Sequence, residues 1–210
     1  MRKLLIKIYE YLKMQLLFLK RRFVTPSLPK NSDGKVYLNV GCASNSGKEF
    51  TNIDVLPYPN IHYIEDITNL SNFKDNSVDM VYASHVVEHI PREKLRATLL
   101  EWKRVLKLGG TFRFAVPNFD ALIEVYSKSG KEVAYIRDQV MGQNPPYHHH
   151  STLWNFDYAK KVLEDLGYRD VRLWDPDTAD HHDFIDRSSR AMKAGKEEIS
   201  ISLNVEATKM

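Results

Sequence analysis

Apolar and polar residues alternate along the chain in two patterns, which predict strands separated by helices. Short apolar or β-branched runs that end at turn residues predict seven strands. They cover residues 35–40, 50–55, 61–65, 77–83, 111–116, 170–174 and 199–206. Helical spacing of apolar residues predicts a helix from Pro91 to a stop at Gly109-Gly110, and further helices over 120–127, 131–141 and 156–166. This order predicts an α/β protein whose mainly parallel sheet is covered on both faces.

The N-terminal segment has a different pattern and predicts an amphipathic helix. At 100° per residue one face carries only uncharged side chains, those of Leu5, Ile8, Tyr9, Leu12, Leu16, Leu19 and Phe23. Its longest run without a charge, residues 14–19, is far shorter than the roughly 18 residues that span a bilayer. We therefore expect two parts, a basic helix with a linker over 1–30 and a domain over 31–210.

Charge is concentrated in the first part. Residues 1–30 hold eight basic side chains and one acidic side chain, a net of +7, so the rest of the chain carries −4 of the total of +3. A mildly acidic body argues against nucleic acid as a partner. Two interpretations of residues 1–25 stay open: contact with the body or with a second copy in a homodimer, and contact with an anionic membrane surface. The single Cys42 is typical of a reducing compartment, and we expect a cytoplasmic protein, with or without peripheral contact at the inner face of the membrane.

Ligands of such sheets bind beyond the carboxyl ends of the strands, which directs attention to Gly41 and Asp54. A glycine after the first strand lets a ligand approach the backbone, and a carboxylate ending the second strand can accept hydrogen bonds from a ribose diol. The segment GCASN lacks the later glycines of a dinucleotide site, and Asp54 follows Gly41 too closely for a full helix between them. This spacing disfavours NAD and favours a ribose-bearing ligand without phosphate. The alternative is a plain turn and a solvated strand end.

Five segments occur in the order and spacing of one known family. They are LNVGCASN, NIDV, EDITNL, DNSVDMVYASHVVEHIP and EWKRVLKLGGTFRFAVPNF. Over about residues 35–125 the chain resembles a class I S-adenosylmethionine-dependent methyltransferase, of the small type associated with bacterial polysaccharide biosynthesis. The resemblance implies a Rossmann-like sheet of seven strands, S-adenosylmethionine as cofactor, and a small-molecule or glycan acceptor that is methylated on a hydroxyl oxygen.

The resemblance also implies roles for individual residues. Gly41, with the backbone of Asn39, Cys42 and Ala43, would border the methionine part of the cofactor. Asp54 would hold the ribose hydroxyls, and Asp66 with the Ile67 amide would meet the adenine edge. Ser84 and His85 would face the sulfonium and the acceptor. Ala43 departs from the family, which has a second glycine there.

Proton removal from the acceptor is the step for which a catalytic side chain is expected. His85 is the first candidate for the base, because it follows the fourth strand and histidine titrates near neutral pH. The alternative is a structural His85, with alignment alone supplying the rate. Further histidines occur in 148–150 and in 175–186, both expected over the acceptor pocket, and His150 is the second candidate. No metal ligand is assigned.

Three other interpretations rank lower. His85-Val86-Val87-Glu88-His89 matches an inverted zinc-hydrolase pattern, but Pro91 argues against the continuous helix that this pattern requires. Asn144-Pro145-Pro146-Tyr147 resembles a motif of nitrogen methyltransferases, but it lies after the fifth strand rather than the fourth. The departure at Ala43 leaves open a degenerate methyltransferase-like module that binds without catalysis.

Overall fold

The computed structural model describes residues 2–21, 24, 26–143 and 149–210. The helices within these ranges are α1 Arg2–Arg21, α2 Arg92–Val105, α3 Phe119–Lys128, α4 Val133–Met141 and α5 Phe156–Asp165. The strands are β1 Tyr37–Val40, β2 Phe50–Asp54, β3 Tyr63–Ile64, β4 Val78–Ser84, β5 Leu106–Pro117, β6 Tyr168–Leu173, β7 Ala191–Ala194, β8 Glu197–Ser200 and β9 Ser202–Lys209. The segment 144–147 and His148 lie outside the described residues.

Seven of these strands form one sheet in the order β3-β2-β1-β4-β5-β9-β6. Neighbouring strands from β3 to β5 are parallel, whereas β9 runs antiparallel to both β5 and β6. The predicted seven-stranded, mainly parallel sheet is therefore confirmed. The strand order reverses between β1 and β4, so the residues after these two strands meet at one edge of the sheet.

One face of the sheet carries the larger apolar core, built on residues of period two. Leu38 and Val40 of β1 point to this face, where α2 and α5 pack. Trp102 of α2 is fully buried against Phe112, with their ring centroids 5.5 Å apart. Burying a side chain of this size stabilises the fold by about 1.5–3 kcal/mol or more. The apolar residues whose spacing predicts these two helices are therefore buried against the sheet.

The opposite face is covered near β1, β2 and β4 by the segment 174–186. Tyr37, Phe50 and Tyr82 form an aromatic layer on this face, and Trp174 and Phe184 pack on it. A Cβ added to Gly47 would lie 2.7 Å from the Phe184 ring, so the glycine allows this close approach. The connection between β1 and β2 contains no helix, and an irregular segment fills that space instead.

Two predicted boundaries are wrong. Gly109-Gly110 does not end α2, because β5 begins at Leu106 and includes both glycines. Val78 pairs with Leu106 and Met80 pairs with Thr111, so residues 107–110 bulge out of the strand. Gly109 has φ +76°, and a Cβ on Gly110 would lie 2.9 Å from the Lys107 carbonyl oxygen. The glycines therefore permit a bulge rather than a helix stop.

The last predicted strand is also two strands. β8 pairs with β7 in a hairpin, and β9 enters the main sheet. Between them the Ile201 N–H donates to the Arg190 carbonyl and the Ile201 carbonyl accepts from the Asn118 N–H. Ile201 therefore lies between the two strands and pairs with neither β7 nor β5. The hairpin packs its apolar side on α3.

The N-terminal segment is helical over α1, as predicted, and its end contacts the edge of the sheet. Nη2 of Arg21 donates to the carbonyl oxygens of Ile61 at 2.7 Å and His62 at 3.3 Å. Tyr9, Leu12, Leu16 and Leu19 of the predicted apolar face are exposed. The side chains of Leu5 and Ile8, and Phe23 altogether, lie outside the described residues. None of the described helices combines the length and apolar character needed to span a bilayer.

Candidate active site

The loop after β1 is shaped by Gly41. This residue has φ +68°, and its N–H donates to the Ile53 carbonyl at 2.8 Å. A Cβ at this position would lie 2.7 Å from the side chain of Val86, which follows β4. Gly41 is therefore required both by its left-handed backbone and by the close approach of the neighbouring strand end. It brings the loops after β1 and β4 together.

Asp54 binds the same loop. Its Oδ2 accepts the Ala43 N–H at 2.9 Å, and its Oδ1 accepts the Leu56 N–H at 2.9 Å. The side chain is buried at the end of β2. Each oxygen uses one lone pair for the backbone and keeps a second. The predicted role with a ribose diol therefore fits the donor set, but the carboxylate has a structural role that the sequence did not predict.

Ala43 occupies a conformation that favours glycine, with φ +49°. A non-glycine residue in this region costs about 1–2 kcal/mol. Two hydrogen bonds stabilise this strained conformation: Asp54 accepts from the Ala43 N–H, and Asn60 Nδ2 donates to the Ala43 carbonyl at 3.0 Å. The structural role of Asn60 was not predictable from the sequence, because the residue lies in a Pro-rich turn and belongs to no motif. The family's glycine at this position has a physical reason, and here two side chains take over part of its role.

The other residues expected around the methionine part of the cofactor are mostly enclosed. Nδ2 of Asn39 donates to the Asn45 carbonyl at 3.3 Å, which closes the loop. Cys42 is buried, and this burial raises the pKa of its thiol well above the usual range. Cys42 is thus a packing residue whose backbone, rather than its thiol, is available to a ligand.

Asp66 and Ile67 follow β3, beside Asp54. The Glu65 N–H donates to the Asp54 carbonyl at 3.1 Å, so the turn that contains Asp66 begins next to the predicted ribose site. Oδ1 of Asp66 accepts the Thr68 N–H at 2.9 Å. The Ile67 carbonyl accepts from Trp102 Nε1 at 2.8 Å, which anchors the turn on α2. The turn therefore lies next to Asp54, and the role of Asp66 and Ile67 at the adenine stays a prediction.

His85 directly follows β4 and is almost completely buried. It has φ +53°, and its N–H donates to the Ala115 carbonyl at 2.7 Å. Nδ1 lies 3.3 Å from Oε1 of Glu88, and Nε2 lies 3.3 Å from Ser202 Oγ. Ser84, one residue earlier, has a buried Oγ that makes no hydrogen bond within the described part of the chain. Its hydroxyl is therefore suited to a ligand at this strand end.

Glu88 is the residue that joins the two predicted catalytic histidines. It is fully buried in the 3-10 helix Val87–His89, and a group of three ligand atoms from Glu88, His89 and His150 lies within 4.8 Å. Burial acts to raise the pKa of the Glu88 carboxyl, but His85 and His89 hold it below its usual range. Burial lowers the pKa of His150, so its imidazole is neutral near pH 7. The sequence indicated Glu88 only through the zinc-hydrolase pattern.

The helical geometry of that pattern is absent from the described residues. His85 lies in a left-handed bend, the following 3-10 helix has three residues, and Ile90 is extended before α2 begins. The two histidines of the pattern therefore do not share one helix face, which the inverted zinc-hydrolase motif requires.

The histidines at 181 and 182 do not join this group. Nδ1 of His181 lies 2.7 Å from Glu49 Oε2, on the sheet face covered by segment 174–186. His182 contacts Tyr82, Asp186 and Ser188 on the same face. Both side chains fix the covering segment and lie apart from the group of His85, Glu88 and His150, to which the sequence was expected to add them.

A family model and solved structures are similar to this chain. Residues 39–114, a little over a third of the chain, match the model of a methyltransferase domain. No curated protein matches the sequence. A SAM-dependent methyltransferase from Archaeoglobus fulgidus is 17% identical, with 83% of this chain and 86% of that chain covered and a TM-score of 0.52. One from Methanosarcina mazei is 15% identical, with 88% and 94% covered and a TM-score of 0.52.

These similarities confirm the predicted fold, a class I methyltransferase fold. A methyltransferase domain of the matched kind uses S-adenosylmethionine, so the predicted cofactor is confirmed as well. The residues after β1, β2 and β4 fit that cofactor: Asp54 keeps lone pairs for hydroxyl donors, and Ser84 has a buried hydroxyl without a hydrogen bond among the described residues.

Proposed function

We propose that the protein transfers a methyl group from S-adenosylmethionine to a hydroxyl oxygen of a sugar or glycan intermediate. The observation that carries this proposal is the buried pair of His85 and Glu88, whose facing atoms are 3.3 Å apart at the end of β4. β4 pairs directly with β1, so this pair lies beside the loop of Gly41. A proton acceptor next to a cofactor loop is what methylation of a hydroxyl requires.

The proposed cofactor residues are those expected from the sequence. They are Asn39, Gly41, Cys42, Ala43, Asp54, Asp66, Ile67, Ser84 and His85. When bound, the cofactor supplies an activated methyl group on a sulfonium sulfur. The loop 41–43 supports it through backbone groups, since the side chains there are small or buried. Asp54 fixes this loop and also presents its remaining lone pairs to the ribose.

His85 acts as the base in this proposal. A sugar hydroxyl is a weak nucleophile until its proton is removed during attack. Nδ1 of His85 faces Glu88, and Nε2 faces Ser202 Oγ at 3.3 Å. When the acceptor hydroxyl takes the place of the Ser202 hydroxyl, Nε2 removes its proton while the acceptor oxygen bonds to the methyl carbon and the carbon–sulfur bond breaks with its electron pair on sulfur. Glu88 then stabilises the imidazolium, as a buried carboxylate does for a catalytic histidine. Burial of both side chains strengthens this interaction.

The identity of the acceptor as a sugar or glycan derives from the resemblance of the motifs, and the presence of a base supports a hydroxyl over an amine. A neutral amine is nucleophilic without a base, whereas a sugar hydroxyl stays protonated near pH 7 and needs a base during attack. The acidic charge of residues 31–210 supports a neutral or weakly charged acceptor over nucleic acid.

A binding module without catalysis is a second candidate. The observation that favours it is the strained Ala43, held by a carboxylate whose two oxygens already accept backbone N–H groups. In such a module the loop would keep its shape but bind the cofactor weakly. Tight binding of the cofactor product separates the two candidates.

The helix α1 bears on the proposed location and partners of the protein. We propose a cytoplasmic protein in which residues 1–25 contact either an anionic membrane surface or a second copy of the chain. The exposed apolar side chains from Tyr9 to Leu19 and the net charge of +7 over residues 1–30 support both. Flotation with anionic vesicles and light scattering of the protein alone distinguish them.

The test of the proposed reaction is transfer of a labelled methyl group to a panel of sugar nucleotides and glycans. We expect a hydroxyl acceptor, with kcat reduced about 10²–10⁴-fold in His85→Gln. His149→Ala removes an exposed imidazole outside the proposed machinery and serves as the control. Equal rates in wild type and His85→Gln, or transfer to amine acceptors alone, would contradict the proposal.

A further inference from the structure

The side chains of Glu88, His89 and His150 converge on one point. Each offers one ligand atom, and the three atoms lie within 4.8 Å of one another. Glu88 and His89 are neighbours in the 3-10 helix after β4, whereas His150 comes from the segment between α4 and α5. Two backbone bonds hold that segment in place: the Ser151 N–H donates to the Glu88 carbonyl at 2.7 Å, and the His150 N–H donates to the Met141 carbonyl at 3.0 Å.

The carboxylate of Glu88 is the unexplained member of this group. The residue has no exposed surface, and neither of its oxygens makes a hydrogen bond of good geometry within the described ranges. His85 Nδ1 lies 3.3 Å from Oε1, the contact that orients His85, and His89 Nε2 lies 3.9 Å from the same oxygen, whereas Oε2 makes no hydrogen bond within the described residues. The charge of Glu88 also acts on Arg190, where it opposes the lowering of the pKa by burial. A buried carboxylate with so few bonds is costly unless a cation compensates it.

The histidines have the orientation of ligands. Nδ1 of His89 lies 3.0 Å from the carbonyl oxygen of His149, so this nitrogen donates its proton there. The lone pair is then on Nε2, the atom that faces Glu88. Fixing one ring nitrogen by a backbone carbonyl is how proteins orient metal-binding histidines. The rings of His89 and His150 meet edge to face, with centroids 4.9 Å apart.

We propose that Glu88, His89 and His150 bind a divalent first-row metal ion next to the methyl-transfer site. One carboxylate and two imidazoles are a donor set for a transition metal such as Zn²⁺ rather than for Ca²⁺, and Mn²⁺ should bind more weakly than Zn²⁺. Three protein ligands leave coordination positions open, as in catalytic rather than structural sites.

This inference deepens the proposed function, and it rests on that function for the role of the open coordination position on the metal. The acceptor hydroxyl would bind there, and a metal-bound hydroxyl loses its proton far more readily than a free one. That proton would pass to Nε2 of His85 while Nδ1 keeps its contact with Glu88, and the oxygen would attack the methyl carbon as the carbon–sulfur bond breaks with its electron pair on sulfur. The two histidines expected as bases thus take different roles: His85 accepts the proton, and His150 holds the metal.

The experiment measures metal binding separately from catalysis. The full chain, freed of metal with a chelator, is titrated with Zn²⁺ and with Mn²⁺ in a calorimeter, and Co²⁺ is added to follow its visible spectrum. We expect one tight site per chain, affinity reduced at least 10-fold in both Glu88→Gln and His150→Ala, and Co²⁺ bands that change in these variants. His149→Ala keeps the carbonyl that accepts from His89 and should bind as the wild type does.

Zinc bound only by the run of histidines at 148–150 would give a different result. Binding that is weakened by His149→Ala and His150→Ala but not by Glu88→Gln would overturn the proposal, as would the absence of a tight site in the wild type. If Glu88→Gln does not fold by circular dichroism, His89→Gln takes its place with the same expectation. Titration with S-adenosylhomocysteine in the same instrument separates the metal site from the proposed methyl transfer. Cofactor binding without metal binding would overturn the metal site alone, and metal binding without cofactor binding would overturn the proposed methyl transfer alone.

Discussion

Asp54 and Ala43 form one structural unit, because the carboxylate at the end of β2 accepts the N–H of the strained residue in the loop after β1 at 2.9 Å. The acid expected to bind the ribose therefore also shapes the loop expected to border the methionine. Changes at either residue should affect both loop stability and cofactor binding, and the first two predictions separate these effects.

Replacing Ala43 by glycine should stabilise the protein. Glycine adopts φ +49° without the cost of about 1–2 kcal/mol that alanine has there. Its greater conformational entropy in the unfolded state offsets part of this gain in stability. We expect a net gain of up to about 1 kcal/mol in urea unfolding, with affinity for S-adenosylhomocysteine unchanged or higher. Ala134→Gly in the exposed part of α4 should lose about 1 kcal/mol. A loss at Ala43 as large as the loss at Ala134 would mean that the loop is not strained.

Asp54→Asn should weaken binding of S-adenosylhomocysteine by about 1–3 kcal/mol, since a charged acceptor for the ribose is lost. Asn60→Ala loosens the same loop through the Ala43 carbonyl without touching the ribose, and it provides the comparison. We expect a smaller loss in Asn60→Ala, measured by calorimetry. Equal losses in the two variants would show that Asp54 acts on the loop alone.

The stability of the protein should depend on pH through His182. Burial is the largest single influence and opposes its charged form, but the hydrogen bonds to Asp186 and the Pro176 carbonyl and the charge of Asp186 together outweigh burial and raise the pKa of His182, while the pKa of Asp186 is lowered well below its usual range. The His182 contribution is therefore full below its unfolded pKa of about 6.5 and is lost as pH rises through the folded pKa. The Asp186 contribution is present above its unfolded pKa and is lost in acid.

Urea unfolding of wild type and His182→Asn at about pH 6 and about pH 8.5 measures this dependence. We expect the wild type to exceed the variant by more at the lower pH. The comparison with the variant removes the effect of other histidines such as His62, whose pKa is lowered by burial. A difference that is constant or grows with pH would argue against the His182–Asp186 pair.

Glu206 should be a major determinant of stability. This buried residue of β9 accepts from Arg113 Nε at 2.8 Å and from Arg172 Nε at 2.8 Å. Glu206→Gln leaves the buried Arg113 without its counter-charge, and we expect a loss of about 3–5 kcal/mol in urea unfolding. Glu197→Gln breaks an exposed pair with Lys128 and should cost far less. Similar losses in the two variants would contradict this account.

The fold was largely predictable because its strands carry their own signals. The continuously buried run of β1 and the buried stripe of α2 are local patterns, and the order of strands and helices favours a mainly parallel sheet. The β7–β8 hairpin was not predictable, since Ala191–Ala194 has neither β-branched residues nor an alternating pattern. The covering segment 174–186 has no regular structure, and its place depends on contacts such as that of Phe184 with Gly47.

The candidate site was predictable where it follows a strand end. Gly41 and His85 each come directly after a strand and Asp54 ends one, and the topology brings those strand ends together. The link from Glu88 to His150 was not predictable, because it depends on backbone hydrogen bonds between segments some sixty positions apart. The double role of Asp54 was also hidden, since only the folded loop shows which N–H groups its oxygens accept.

Calorimetric titration of the wild-type chain with S-adenosylhomocysteine and with NAD tests the central claim, that the loop of Gly41 and the carboxylate of Asp54 bind an adenosine cofactor without phosphate. The account predicts binding of S-adenosylhomocysteine at one site per chain and no heat from NAD. Heat from NAD alone, or from neither compound, would contradict it.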